Sequence, residues 1–288
     1  MNPVTQAIYS GLMAGGVYAL LAIGLIVAFR TSRVLNLAHG ETFAVGGVTA
    51  GLVAGMGVSK FIASMAALVV AMLYAIAVDQ ILMKPRRHLP ISSLILITLA
   101  AAFLTRGVLM VAAGVDPLSF PRLFVGPPIR FAGGAIPLQG VSLVVVGFTA
   151  AICVSLFLVR TPLGRKLRAT AENPDAAELL GIDTDRMRLI ASAIAGLLGG
   201  LAAVLLVPLT SIDYQAGLGM TLRGIIAAAL AGMSPTLAVV GGLSLGLSEA
   251  FVTTYFGALA QDPVIFAILI GIAVWQTRKI RFGGSQRA

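Results

Sequence analysis

The sequence predicts an all-α fold, a polytopic integral membrane protein built as a bundle of about eight to nine transmembrane helices. Hydrophobic residues make up 58% of the 288 residues and charged residues only 11%, with a mean hydropathy of +1.00. A soluble domain has roughly 25% charged residues. Apolar runs long enough to cross a bilayer recur along the chain, and the basic residues cluster between them. The whole chain, 1–288, is interpreted as one membrane domain.

Nine apolar runs are candidate spans, because a bilayer core needs roughly 20 mostly apolar residues per helix. They are residues 6–29, 36–58, 61–83, 91–113, 140–159, 189–209, 217–233, 238–256 and the short 263–275. The second and the seventh carry charges and glycines, so either could be broken or re-entrant. The first run is too long for a signal-peptide core, and we expect it to be retained.

The positive-inside rule gives one consistent orientation for nine crossings. The basic loops after the first and third runs, the stretch 160–188 and the basic tail then lie in the cytoplasm. The charge-poor connection 116–139 and the N-terminus lie outside. Losing one crossing would move the N-terminus inside.

Several function classes are excluded by composition and motifs. The net charge of +9 is spread over short loops between apolar runs, which favours a membrane interpretation over nucleic-acid binding. The single Cys153 allows no intrachain disulfide and makes a metal or redox site improbable. The phosphate loop G-x-x-x-x-G-K-[ST] and the metalloprotease motif H-E-x-x-H are both missing. We therefore expect no enzyme and no cofactor, and any ATP-driven motor must be another polypeptide.

Glycines recur at four-residue spacing on several spans, which lets helix backbones approach closely. The sets are Gly11 and Gly15; Gly47, Gly51 and Gly55; Gly196 and Gly200; Gly242 and Gly246. One such pair is common in membrane helices, but four sets predict a tightly packed bundle. A weak similarity between residues 36–57 and 222–247 is of the kind that an internal repeat produces.

Ionisable residues within spans are functional candidates by default. His39 and Glu41 could equally be interfacial groups that cap a helix or pair with Arg30 and Arg33. Arg106 and Arg223 could extend to an interface. Glu249 lies in mid-span and could pair with Arg223, and Asp79 is interpreted as structural.

The longest charged passage, residues 160–188, lies between two spans and carries helix signals. Thr161-Pro162 is a cap followed by proline, Asn173-Pro174 restarts a second short helix, and Gly181 is a left-handed stop. It is either a solvated basic loop or a docking element for a cytoplasmic partner.

Two passages resemble the branched-chain amino acid ABC transporter permeases, with the LivH type the closer match. The first resembles the family's G-x-x-Y-A-L-x-A-x-G-L span and N-x-A-H/Q-G-E turn, here Gly15, Tyr18, Ala19, Leu20, Ala22, Gly24, Leu25, Asn36, Ala38, His39, Gly40 and Glu41. The second, from Thr161 to Ile182, resembles the family's cytoplasmic loop. One departure is the passage 231–236, where the family commonly has a Gly-Gly-x-Gly type sequence.

The resemblance implies that this loop holds the coupling helix, which docks on an ATPase subunit. The implied contact residues are Leu163, Gly164, Arg165, Leu167, Ala171, Glu172, Ala176, Ala177 and Gly181. It also implies ABC ATPase subunits, a second permease subunit (a copy or a sister chain), a periplasmic amino-acid-binding protein and the bacterial inner membrane. Alternating access would then carry an amino acid, or a relative such as an amide or urea.

The candidate substrate-pathway residues are Asn36, His39, Glu41, Arg223 and Glu249. Broken-helix ends at residues 36–41 and 217–233 could offer partial charges to a zwitterionic substrate. The alternative is a stand-alone secondary carrier or channel that uses Glu41, Arg223 and Glu249 as a proton or ion relay. Such a carrier would not need the 160–188 loop.

Overall fold

The computed structural model describes residues 2–261, 263–264, 267–268 and 271, and these form a helical bundle. Its α-helices are α1 (Pro3–Ser32), α2 (Glu41–Gly55), α3 (Lys60–Ala77), α4 (Ile91–Ala113), α5 (Leu138–Arg160), α6 (Pro162–Glu172), α7 (Pro174–Leu179), α8 (Thr184–Leu206), α9 (Ala216–Leu230) and α10 (Ala238–Phe256). A π-helical turn, Val78–Met83, and short 3-10 helices at Lys84–Arg86 and Ala258–Ala260 complete the helical set in this part of the chain.

Within the described residues, six helices are long and apolar enough to cross a membrane: α1, α3 with its continuation, α4, α5, α8 and α10. Helices α2 and α9 have 15 residues each. At 1.5 Å per residue each spans about 22 Å, less than a hydrocarbon core of roughly 30 Å. The second and seventh predicted spans are thus partial crossings. The ninth predicted span, 263–275, falls largely outside the described residues.

Helix boundaries follow local capping more than hydropathy. Helix α8 begins at Thr184, five residues before the predicted span, because the Asp183 side chain accepts a hydrogen bond from the Arg186 backbone at 3.0 Å. The first helix extends to Ser32, and Arg33 closes it in the left-handed conformation with φ 60°. Both ends of α4 and of α10 agree with the prediction.

Helix α1 lies at the centre of the bundle and packs antiparallel to α10 through glycines. A Cβ at Gly11 would lie 2.8 Å from the Leu247 backbone, and one at Gly246 would overlap the Gly15 backbone. Helix α8 uses the same device against α3, where a Cβ at Gly196 would lie 2.6 Å from the Ala71 carbonyl. The predicted close packing is confirmed for the pairs on α1, α8 and α10, whose glycines let backbones touch. It is not confirmed for the set on α2, where Gly47 and Gly51 lie mainly against side chains and Gly55 has open space around it.

The two halves of the bundle repeat one arrangement with inverted direction. In the first half α1 is followed by the short α2 and then by α3; in the second, α8 is followed by the short α9 and then by α10. Helix α3 packs on α8 in the same way as α10 packs on α1. The short α2 contacts α8 of the second half, and the short α9 contacts α1 of the first half. Paired helices of the two halves run in opposite directions, the pattern of an inverted-topology repeat.

The two ends of the bundle differ in charge. One end carries the basic residues of the loops, which are Arg33, Lys84, Arg86, Arg87, Arg160, Arg165, Lys166, Arg168, Arg186 and Arg188. The positive-inside rule assigns this end to the cytoplasm. The other end holds the connection between α4 and α5, which includes an antiparallel hairpin of β1 (Ile129–Phe131) and β2 (Gly134–Ile136). Its turn residues Ala132 and Gly133 both have positive φ, as a two-residue hairpin turn requires.

Candidate functional site

The two short helices begin beside each other at mid-depth in the bundle and run apart. Residues 33–40 are non-helical and rise from the cytoplasmic end to Glu41, where α2 starts. The His39 ring nitrogen Nε2 lies 3.0 Å from the Leu21 carbonyl. Leu21 is eleven residues before the cytoplasmic end of α1, a distance of about 16 Å along the helix. Helix α9 starts at the same level, since a Cβ on Gly217 would overlap the Glu41 carboxylate. From this level α2 runs outward and α9 runs toward the cytoplasm.

Glu41 is the centre of this junction. Its side chain is fully buried, and Oε1 accepts hydrogen bonds from Nε and Nη2 of Arg106 on α4, both at 3.1 Å. The Arg106 guanidinium also lies 5.3 Å from the Phe103 ring centroid, a cation–π contact. The carboxylate lies in the first turn of both α2 and α9, where helix dipoles favour a negative charge. The arrangement compensates a charge that would otherwise be very costly inside the membrane.

The turn before Glu41 is fixed from several sides. The Gly40 backbone N–H donates to the Thr221 hydroxyl of α9 at 2.8 Å, and that hydroxyl donates to the Leu37 carbonyl at 3.1 Å. The Asn36 side chain accepts from the Ala38 N–H at 2.9 Å. A Cβ at Gly40 would overlap the Gly217 carbonyl, so only glycine permits this approach of the turn to α9. Residues 36–41 therefore form a rigid clamp between α1, α4 and α9.

A second ion pair joins α9 to α10. Arg223 donates from Nε and Nη2 to Glu249 Oε1 at 2.9 and 2.8 Å, and Gln261 also bonds to this carboxylate oxygen. The buried Tyr18 of α1 interacts electrostatically with both partners. The Arg223 side chain extends back toward the start of α9, because Nη1 donates to the Gly219 carbonyl at 3.4 Å, so its guanidinium lies only two residues along the helix from Gly217.

The two pairs share one asymmetry. The carboxylates of Glu41 and Glu249 are 0% and 4% exposed, whereas the arginine side chains of Arg106 and Arg223 are 16% and 17% exposed. The more exposed partner of each pair is therefore the guanidinium. Even a partly exposed guanidinium would be costly against hydrocarbon, so the face of α9 between α4 and α10 requires protein or water against it.

At the cytoplasmic end, α6 and α7 form the predicted pair of short helices. Thr161 and Asn173 accept hydrogen bonds from the backbone N–H groups of Gly164 and Ala176, both at 3.0 Å, and a proline begins each helix. Gly181 has φ +76°, which confirms the predicted left-handed stop. Helix α6 packs on the cytoplasmic ends of α1, α5 and α8.

The side chains of this helix pair divide into a seated face and a free face. Gly164, Leu167, Ala171 and Ala177 are buried and Leu163 is half-buried against the core. Exposed on the free face are Arg165, Lys166, Glu172, Ala176, Gly181 and the neighbouring Leu179 and Leu180. The two leucines are 89% and 79% exposed. Two adjacent leucines thus stand exposed on a charged surface of the described structure.

Arginines tie this helix pair to the ends of the spans. Arg33 donates through Nη2 to the carbonyl oxygens of Ala171 and Glu172, the latter at 3.0 Å, at the end of α6 where carbonyls lack helical partners. Arg188 donates to the Thr31 carbonyl at 3.2 Å. The last turn of α1 is thus connected to α6 and to α8.

The sequence marked Arg106 as an ionisable residue within a span but did not give its partner. The prediction that it could extend to an interface was wrong, because it turns inward to Glu41. The alternative pairing of Glu41 with Arg30 or Arg33 was also wrong. The predicted pairing of Glu249 with Arg223 is confirmed. The role of Thr221 was missed, since a lone threonine in a glycine-rich run gives no signal of a contact 181 residues away.

An inverted-repeat helical bundle with short, broken helices meeting at mid-depth is an architecture found among membrane transporters. The model of the family described as branched-chain amino acid transport system, permease component, matches residues 7–273. The chain belongs to this family.

Named relatives match over most of their length. The high-affinity branched-chain amino acid transport system permease protein BraD of Pseudomonas aeruginosa is 30% identical, covering 94% of this chain and 93% of its own. The high-affinity branched-chain amino acid transport system permease protein LivH of Escherichia coli K12 is 28% identical, covering 92% of this chain and 91% of its own. The ribose import permease protein RbsC of the same organism is 27% identical, covering 91% of this chain and 84% of its own. A solved structure, PsaBC from Streptococcus pneumoniae in complex with Fab, is similar in fold, with a TM-score of 0.50 and 13% identity over 95% and 91% of the two chains.

Proposed function

We propose that this chain is a permease subunit of an ATP-driven importer of the bacterial inner membrane that carries branched-chain amino acids. Family membership supports the transport role, and the names of BraD and LivH support the substrate. The α6–α7 pair is the observation that carries the proposal, because its leucines offer a free contact surface at the cytoplasmic end. Its partners would be ABC ATPase subunits, a second permease subunit, which is a sister chain, and a periplasmic amino-acid-binding protein.

The coupling residues are proposed to work in two groups. Gly164, Leu167, Ala171 and Ala177 seat the helix pair on the bundle; a Cβ at Gly164 would overlap the Leu158 carbonyl. Leu163 is half-buried beside them. The ATPase contact is carried by the free face, namely Arg165, Glu172, Ala176 and Gly181, together with Leu179 and Leu180. The acidic Glu172, Asp175 and Glu178 border the leucines, so the matching groove would be apolar with a basic rim.

Motion of the helix pair would reach mid-membrane through Arg33. Its guanidinium binds the end of α6, and its backbone begins the segment that leads to Glu41. A displaced α6 would pull on this segment and thereby on the clamp between the two short helices. Asn36, His39 and Glu41 would in this view hold the pathway's shape without meeting substrate.

The substrate path is proposed to follow the face of α9 between α4 and α10, against the second permease subunit. This face presents the partly exposed guanidinium of Arg223, which is paired with Glu249, and a guanidinium is suited to an amino-acid carboxylate. The same subunit would cover the charges that lipid cannot solvate.

Reconstitution tests this proposal. The chain, its sister permease, the ATPase subunits and the binding protein are placed in liposomes, and uptake of labelled leucine is measured with and without ATP. We expect uptake that requires ATP and every subunit. Full uptake by the purified chain alone, driven by an ion gradient, would contradict the importer and support a secondary carrier.

A further inference from the structure

A cleft at the cytoplasmic end combines arginines with an aliphatic wall. Its volume is about 160 Å³, and it lies between the ends of α1, α4 and α8. Arg33, Arg87 and Arg188 line one side together with Ser32. Val34, Leu89 and Leu94 belong to the other. A ligand that fits this cleft carries both negative charge and hydrocarbon.

The charges around the cleft do not cancel. Arg87 pairs with Asp79 at 3.5 Å and with Asp185, and Asp185 also binds Lys84 at 3.0 Å. Arg33 donates its hydrogen bonds to backbone carbonyls, which carry no negative charge to balance its own. Arg188 also lines the cleft and lies 3.8 Å from Asp185, so four cations face two aspartates and leave two positive charges in excess. Glu178 also faces Arg188 and reduces the excess without reversing it.

The aliphatic wall continues onto the lipid-facing surface of α4. Val34, Met83 and Leu94 form a small buried cluster, and partly buried Ile95 and Ile97 pack against it. Farther along α4, Leu96 is 64% exposed, and Ile91 at its start is 57% exposed. A phosphate group in the cleft would therefore have its acyl chains beside an apolar helix face at the depth where the inner leaflet's headgroups lie.

We propose that this cleft binds the headgroup phosphate of an anionic phospholipid of the inner leaflet. Arg33 and Arg87 offer donors to the phosphate, and Leu89 and Leu94 would contact the first acyl carbons. Arginine's planar donor fork is well matched to phosphate oxygens. Because Arg33 also binds the end of α6, an occupied cleft would stabilise the joint between the cytoplasmic helix pair and α1.

Native mass spectrometry of the purified full chain tests the site directly and does not depend on its transport activity. The chain is titrated with phosphatidylglycerol or with phosphatidylcholine, and retained lipid is counted. We expect one tightly retained phosphatidylglycerol and no equivalent phosphatidylcholine. Arg33→Gln should weaken retention about fivefold, the contribution of one basic residue near an anionic surface. Arg86→Gln is the matched control, because Arg86 also donates to helix carbonyls at this end but lies outside the cleft.

A second variant separates lipid binding from a general change in charge. Leu89→Asp puts a negative charge inside the cleft and should weaken retention at least as much as Arg33→Gln; His88→Asp, its exposed neighbour, should not. Equal retention of both lipids, or unchanged retention in Arg33→Gln and Leu89→Asp, overturns the proposal. Displacement of the lipid by millimolar inorganic phosphate would also overturn it, since the cleft would then be a site for a free anion.

Discussion

Replacing Arg106 with glutamine should destabilise the folded chain more than replacing its partner Glu41 with glutamine. The Arg106→Gln variant leaves a carboxylate that is 0% exposed without its guanidinium. Breaking a buried ion pair by removing one partner costs about 3–5 kcal/mol. The two helix N-termini at Glu41 still favour its charge, each by up to about 1 kcal/mol, so we expect a loss near the lower limit, about 3 kcal/mol.

The Glu41→Gln variant should be milder, because Arg106 is already 16% exposed and its long side chain can extend along the α9 face. We expect a loss of about 1–2 kcal/mol, mainly from the weaker interaction with the helix ends. The double variant removes both charges. Its loss should fall short of the sum of the single losses by about 1.5 kcal/mol or more, the signature of residues in direct contact.

The free energy of unfolding is measured by reversible titration with sodium dodecyl sulfate in mixed micelles, followed by circular dichroism. Arg130→Gln, on the exposed outer hairpin, is the control and should change little. Strict additivity of the two single variants, within about 0.5 kcal/mol, would refute the direct pairing. A larger loss for Glu41→Gln than for Arg106→Gln would refute the reasoning that the carboxylate is the more deeply buried charge.

Three further changes test other parts of the structure. Gly246→Val should lower the melting temperature of the purified chain, because its Cβ would overlap the backbone of α1 and such overpacking costs about 1–3 kcal/mol. The control Gly55→Val should not lower it, because open space surrounds Gly55. Equal effects of the two variants would count against close contact between the helices. Arg223→Gln should lower ATP-driven leucine uptake about tenfold or more at normal membrane abundance, and undiminished uptake would remove Arg223 from the pathway. Leu180→Asp should leave the fold intact and abolish co-purification of the ATPase. Leu167→Asp, at a buried position, should instead reduce the amount of folded chain. The reverse pattern would assign the ATPase contact to the seated face.

The long helices were predictable because their signals are local. A run of about 20 apolar residues must cross the membrane as a helix, since lipid offers its backbone no hydrogen-bond partner. Helices α6 and α7 were predictable for the same reason. The capping signals that begin them, at Thr161-Pro162 and Asn173-Pro174, each lie within four residues of sequence. Where local signals overlap, the prediction shifts by a few residues, as at α8, where the Asp183 cap begins the helix before the apolar run does.

The junction at mid-depth was not predictable in the same way, because its contacts join distant parts of the chain. The charged Glu41 pointed to a special position, but Arg106 lies 65 residues further along, and nothing local selects it over Arg30 or Arg33. Glycine spacing predicted close packing on α1 and on α10 without stating that they pack on each other. The weak similarity between residues 36–57 and 222–247 did not give the register of the repeat, because the first region contains all of α2 whereas the second begins six residues inside α9 and ends within α10.

The asymmetry of the two ion pairs bears on what the proposed pathway can select. Both carboxylates are buried and both guanidiniums are partly exposed, so the two pairs offer hydrogen-bond donors and few exposed anionic oxygens to the path. An inorganic cation would find little exposed carboxylate at these two pairs, whereas a substrate carboxylate would find two guanidiniums. Because each guanidinium already binds its own glutamate, the attraction is moderate, which permits release as well as entry. Selection among substrate side chains would then depend on apolar surfaces such as Leu218 and Leu222 of α9 and on the periplasmic binding protein. This division of roles is consistent with the names of the relatives, which are permeases for branched-chain amino acids in some cases and for ribose in another.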